Sequence, residues 1–195
     1  MAPVALHITG DTEADALLSN DPLALLIGML LDQQVTMEKA FGSPAELARR
    51  LGGRLDAASI AAMDSGELDA VFRERPALHR YPGSMAGRVQ ELCRVVAQDY
   101  DDQADAIWKD VGSGEELLAR LKALPGFGEQ KAKIFEALLG KQLGVQPEGW
   151  REATVPYGES GSFLSVADIT EPAALEKVRA NKRAIKAQAK ARSKA

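Results

Sequence analysis

The stretch Leu121–Ile134 reads LKALPGFGEQKAKI and carries the clearest chemistry in this chain. A leucine-rich helical turn runs into Pro125, Gly126, Phe127 and Gly128, and a second helical pattern opens at once with Glu129, Gln130 and Lys131. Glycines at positions 126 and 128 permit a tight hairpin and leave room for another molecule's backbone. The first N–H groups of the second helix lack partners within it, and the helix dipole favours an anion there. The chemistry implied is phosphate binding. Lys131 and Lys133 follow on the same helix and would supply positive charge, and Phe127 would pin the hairpin to the helix pair.

Positioning such a hairpin needs helices around it, and the chain supplies them. Asp21–Pro22 reads as an N-cap followed by proline at the first helical position. Leu23–Leu31 is apolar nearly all round, so it belongs at the centre of the core. Asp32, Gln33 and Gln34 interrupt that run, and Thr36 restarts a helix that Gly42-Ser43-Pro44 is expected to end. Further helices are expected from Pro44 to about Leu51, Ser59 to about Met63, Gly66 to Phe72, and Ser84 to about Tyr100. One then runs from Ser113 or Gly114 to Leu124, and another from Glu129 to about Leu143. Residues 1–20 read as a lead-in with Val4–Ile8 extended, and residues 144–163 as a loop-rich segment. A long basic helix runs from Glu171 to the end.

Alanine and leucine dominate and alternating β-branched runs are absent, which predicts an all-α fold. The formal net charge of −4 hides an asymmetry. Lys177–Ala195 holds eight basic residues and no acidic one, which leaves 16 basic against 28 acidic side chains in the first 176 residues. A basic tail on an acidic body suits nucleic-acid contact, or a solvated terminal helix. The single cysteine, Cys93, excludes an intramolecular disulfide and a multi-cysteine metal site, and its apolar helical setting makes it a core thiol. Leu23–Leu31 is too short to span a bilayer, so a cytoplasmic location without membrane contact is expected.

The pattern LPGFGxxKA resembles the helix-hairpin-helix motif of DNA repair proteins. Ile27–Ala40, IGMLLDQQVTMEKA, resembles the LLSxQxTD-type segment of the HhH-GPD DNA glycosylase superfamily, and Arg80–Arg94 is similar to that family's YRNKAxxLxxL helix. The resemblance spans roughly residues 22–143. It implies a helical bundle of two lobes with a cleft between them: a 22–143 core, and a smaller lobe from residues 1–21 and 144–195 with a basic C-terminal helix. It also implies base excision: duplex DNA is bent, a damaged or mismatched base is flipped out, and its N-glycosidic bond is cut. The resemblance implies double-stranded DNA as the partner, and a monomer is the default expectation.

By that resemblance Gln34 falls at the wedge that fills the gap left by the flipped base, although a solvent-facing helix-end glutamine is the plainer reading. The DNA-contact set is Gln34, Gly126, Phe127, Gly128, Gln130, Lys131 and Lys133. Gln130 stands where lyase-type members carry a nucleophilic lysine, so strand cleavage through a Schiff base is not expected. Glu148 follows eighteen residues later, near the family's VDxHV aspartate, but within QPEGWRE and without the histidine or valines. Glu148, Asp32 and Glu38 are the catalytic acid candidates, with capping or surface charge as the alternative for each. Trp150, Tyr157 and Phe163 are candidates to stack on a flipped base or to pack the loop segment onto the helices. His79 would touch DNA backbone or lie in a surface loop. No metal ligand set or cofactor is expected, and the four-cysteine cluster of many relatives is missing; hairpin carbonyls could hold a monovalent cation. Two other readings stay open: a non-catalytic DNA- or lesion-binding module on the same scaffold, and a protein-interaction domain that reuses the hairpin.

Overall fold

The computed structural model describes residues 5–194, and among these there are ten α-helices and no strand. They are α1 (Thr12–Asn20), α2 (Pro22–Leu31), α3 (Met37–Arg50), α4 (Ala57–Ala62), α5 (Ser65–Arg73), α6 (Pro82–Asp99), α7 (Gly114–Lys122), α8 (Glu129–Gln142), α9 (Trp150–Ala153) and α10 (Pro172–Arg192). Single 3-10 turns lie at Ala104–Ile107 and Val166–Asp168. No single helix among the described residues is long and apolar enough to cross a membrane.

Short polar residues set most of the helix starts. The side chains of Asp11, Asp21, Thr36, Asp56, Asp64 and Ser113 each accept a backbone N–H in the first turn of the helix they precede. Such a cap contributes about 1 kcal/mol. Helix α2 is the hub: every residue from Leu23 to Leu31 is buried. It packs on α3, and α4 and α5 pack on α6. Gly28 allows α2 and α3 to close on each other, since a Cβ there would lie 2.6 Å from the Phe41 ring. Helices α7 and α8 form the hairpin pair, and one continuous apolar core runs from Leu6 to Val178. Cys93 is fully buried in that core, and burial pushes its thiol up to about 12, so it is an inert packing group.

Two expectations fail at the level of elements. The lead-in contains a helix, α1, started by Asp11 and tied down where Asp15 accepts the Thr9 N–H and hydroxyl, both at 2.9 Å. Its apolar positions are too few to announce it. The Ala5–Ile8 segment forms no strand, though Leu6 and Ile8 are buried, and Val4 lies outside the described residues. Gly42-Ser43-Pro44 does not end a helix either: α3 runs through it to Arg50. Pro44 cannot donate to the Ala40 carbonyl. Packing on α1 and α2 outweighs that loss, and the Ser43 hydroxyl anchors the turn between the carbonyls of Lys39 (2.7 Å) and Leu78 (2.6 Å).

Candidate nucleic-acid interface

The end of α2 is held from two sides. The Lys131 ammonium reaches back from α8 to the carbonyls of Met29 (2.7 Å), Leu30 (3.0 Å) and Asp32 (3.4 Å). They lie at the end of α2, where carbonyls lack an i+4 partner, and the Met29 oxygen also takes the Asp32 N–H (3.2 Å); a cation there meets the negative end of the dipole. On the other side buried His79 accepts the Tyr81 N–H at Nδ1 (3.0 Å), which puts its proton on Nε2. Nε2 then donates to the carbonyls of Leu31 (3.1 Å) and Gln33 (2.9 Å). Burial lowers the His79 pKa and keeps the ring neutral in this role. Arg88 donates to the Gln33 side chain (3.2 Å), and that side chain donates to the Leu30 carbonyl (3.0 Å).

What remains free after these bonds is Gln34. It is exposed, has a left-handed φ of +57°, and makes no side-chain hydrogen bond among the described residues. A non-glycine residue in this conformation is uncommon and costs about 1 kcal/mol or more, so the surrounding bonds must impose it.

The hairpin faces this turn. Gly126 has φ +79°, and a Cβ there would collide with the Leu30 side chain, so glycine is required both by conformation and by the seating of the hairpin on α2. Phe127 is buried edge-on against Phe135, which in turn meets Trp108 edge-on. Gly128 differs from expectation. Its φ of −73° is ordinary, and a Cβ there would meet nothing within 4 Å. Its contribution is open space at the start of α8, which has no side-chain cap. Exposed Gln130 donates to the Tyr157 hydroxyl (2.9 Å), and Lys133 pairs with Glu129 (3.5 Å).

Between the Gln34 turn and α8 lies a cleft of about 560 Å³. Its polar lining is Asp32, Gln33, Gln34, Gln130, Lys131, Tyr157, Lys182 and Lys186. Its apolar lining is Met29, Val35, Ile134, Leu164, Ile185 and Ala189. Burial raises the Asp32 pKa, and Lys182 and Lys131 oppose that rise. Burial also lowers the Lys131 ammonium to about 8.

Several candidates change role. Lys131 does not project toward a phosphate; its ammonium is spent on α2. Glu38 is held by Arg179 of α10 at 2.5 Å and does not line the cleft. Glu148 lies at the wrong end of the hairpin pair. Its carbonyl accepts the Gly114 N–H (2.7 Å) at the start of α7, and α7 begins where antiparallel α8 ends. The 14 residues of α8 put roughly 21 Å between that end and the hairpin. Trp150 is a core residue, its ring lying across Gly140, with the Arg151 guanidinium 4.4 Å from the ring centroid. Phe163 lies outside the cleft under Lys177, and His79 is a buried brace, not a surface contact. Of the acids proposed, Asp32 is the one in the cleft, and of the aromatics, Tyr157.

Lys182, Lys186 and Arg88 carry no site signature of their own in the sequence. Their only sequence signal was the basic tail for the two lysines, and for Arg88 its place in the Arg80–Arg94 segment. Among the described residues no group of three or more His, Cys, Asp or Glu side chains could hold a metal ion. Compared with known proteins, the chain matches no family model, no curated protein and no solved structure.

Proposed function

We propose that this chain is a monofunctional DNA glycosylase of the helix-hairpin-helix class, with two helical lobes meeting at the cleft. The observation that carries the reading is Gln34: exposed, left-handed, and braced from beneath at the rim of a cleft whose far wall is an uncapped helix start. Asp101, Asp102 and Asp110 are exposed with left-handed φ as well, but of the four Gln34 alone lines the cleft, and its conformational cost is reasonable if its side chain enters the duplex. Gln34 fills the stack that a flipped nucleotide leaves. The α8 N–H groups beside Gly128 take a backbone phosphate. Asp32 stabilises positive charge building on the sugar as the glycosidic bond breaks, and guides the water that attacks the anomeric carbon.

Strand cleavage is not part of this reading. Gln130 has no nucleophilic amine, and the Lys131 ammonium is bound by three carbonyls. A non-catalytic lesion-binding module is the second reading, favoured by Glu148 lying outside the cleft and by Asp32 being its single carboxylate.

A base-release assay separates the two. Duplexes carrying uracil, hypoxanthine, alkylated purines, 8-oxoguanine or mismatches are incubated with the chain, with and without alkali. Alkali-dependent cleavage at one lesion, lost in Asp32→Asn with duplex binding retained, is expected. Salt-sensitive duplex binding without release of any base would support the second reading.

A further inference from the structure

Helix α10 is built in two unlike halves. Its first half is seated on the body through Ala174 and Val178. From Arg183 onward every described residue is exposed, yet the helix continues to Arg192. A helix with no buried stripe gains nothing from packing, and alanine-rich propensity alone holds it marginally. From Lys177 onward there is no acidic residue, and half-buried Lys182 followed by exposed Lys186 and Lys190 recur every fourth position. Such a row advances about 6 Å per step and drifts slowly around the helix. The first two line the cleft opposite Gln34 and Lys131, with Ile185 between them half exposed, and the third lies beyond it.

We propose that Lys182, Lys186 and Lys190 form a phosphate rail, carrying one DNA strand from the cleft out along α10. The inference rests on the DNA reading above and adds a second backbone-binding element to the hairpin. Consecutive phosphates of one strand rise about 3.4 Å along the duplex axis, so a row at this spacing can engage alternate or successive phosphates as the strand curves past it. Ile185 offers its apolar side to a deoxyribose between two lysines.

The test is the salt dependence of duplex binding for the full chain and for Lys182→Gln/Lys186→Gln/Lys190→Gln. Glutamine keeps helix propensity, and circular dichroism checks that helix content is unchanged. Each lost phosphate contact should flatten the log–log slope by about 0.9, so the triple variant should lose about 2 to 3 of slope and roughly 30- to 100-fold in affinity at moderate salt. A control variant, Arg54→Gln/Arg94→Gln/Lys109→Gln, removes the same charge from exposed sites elsewhere and should keep the wild-type slope. An unchanged slope in the rail variant, or an equal loss in the control, overturns the rail and leaves the DNA reading standing. A wild-type chain that shows no salt-sensitive duplex binding removes both.

Discussion

The two ends of α8 follow opposite rules. At its C-terminal end polar groups are consumed by the protein. Gln142 donates to the carbonyls of Val166 (3.1 Å) and Ala167 (2.8 Å), and Gln146 donates to Gly140 (2.8 Å). Lys141 pairs with Asp168 at 2.5 Å, both side chains nearly buried. The Trp150 ring closes over Gly140. At its N-terminal end no side chain caps the helix, Gly128 opens onto empty space, and Glu129 and Gln130 are exposed. The same helix is therefore sealed at one end and left chemically available at the other. Six of the ten helices are capped by the side chain that precedes them. Of the four that are not, α6 and α10 open on a proline, which has no N–H to satisfy, and α9 is a single turn, so α8 is the one long helix whose start is both uncapped and proline-free. Unsatisfied donors next to a braced, left-handed glutamine are what a binding surface for an anionic backbone requires.

Substitutions along α8 should affect its two ends differently. Glu136 lies between the two ends, fully buried, with neither carboxylate oxygen hydrogen-bonded. Burial pushes its carboxyl up to about 8 from 4.5. The folded state thus keeps a proton that the unfolded chain has released. Stability is fully present below about pH 4.5, declines as pH rises, and levels off above about 8, a total on the order of 5 kcal/mol. Glu136→Leu should abolish that decline and raise stability at pH 8 by about 1–4 kcal/mol, measured by urea unfolding across pH. Duplex affinity should not change; a change would tie Glu136 to the open end.

Gly140→Ala comes next. Its Cβ would lie 2.5 Å from the Trp150 ring, so it should cost about 1–3 kcal/mol of unfolding free energy while the folded fraction binds duplex normally.

A smaller effect concerns the brace under Gln34. The His79 pKa is lowered by burial, so its contribution to stability is present above about pH 6.5 and lost as pH falls below it. Protonation would set an Nδ1–H against the Tyr81 N–H. Unfolding midpoints of wild type should therefore fall from pH 7 to pH 5 more than those of His79→Gln. Equal slopes in the two proteins would remove His79 from the brace.

Sequence and structure agree where local chemistry decides. Asp21-Pro22, Thr36 and Ser113 are short-range caps, and each starts a helix as its side chain dictates. The hairpin was legible because its glycines and the flanking leucines sit at fixed offsets. Disagreement concentrates where long-range contacts decide. Pro44 continues α3 because α1 and α2 pack against it. Lys131 turns inward because Met29 and Leu30, about a hundred positions away in sequence, present the carbonyls at the end of α2. Glu148 satisfied a count of residues, but α8 carries the chain away from the cleft over that count. Asp32 and Tyr157 stayed in place because one ends the hub helix and the other bonds Gln130.

The most direct test of the open end is Gly128→Val, measured by duplex binding in solution alongside urea unfolding. The added side chain enters empty space at an ordinary backbone angle, and an apolar residue at the helix N-cap costs about 0.5–1 kcal/mol, so stability should stay within about 1 kcal/mol of wild type. It also blocks the approach of a phosphate to the α8 N–H groups, so affinity for duplex should fall at least roughly tenfold, the equivalent of one or two lost backbone contacts. A stable Gly128→Val chain that binds duplex as tightly as wild type would contradict the account.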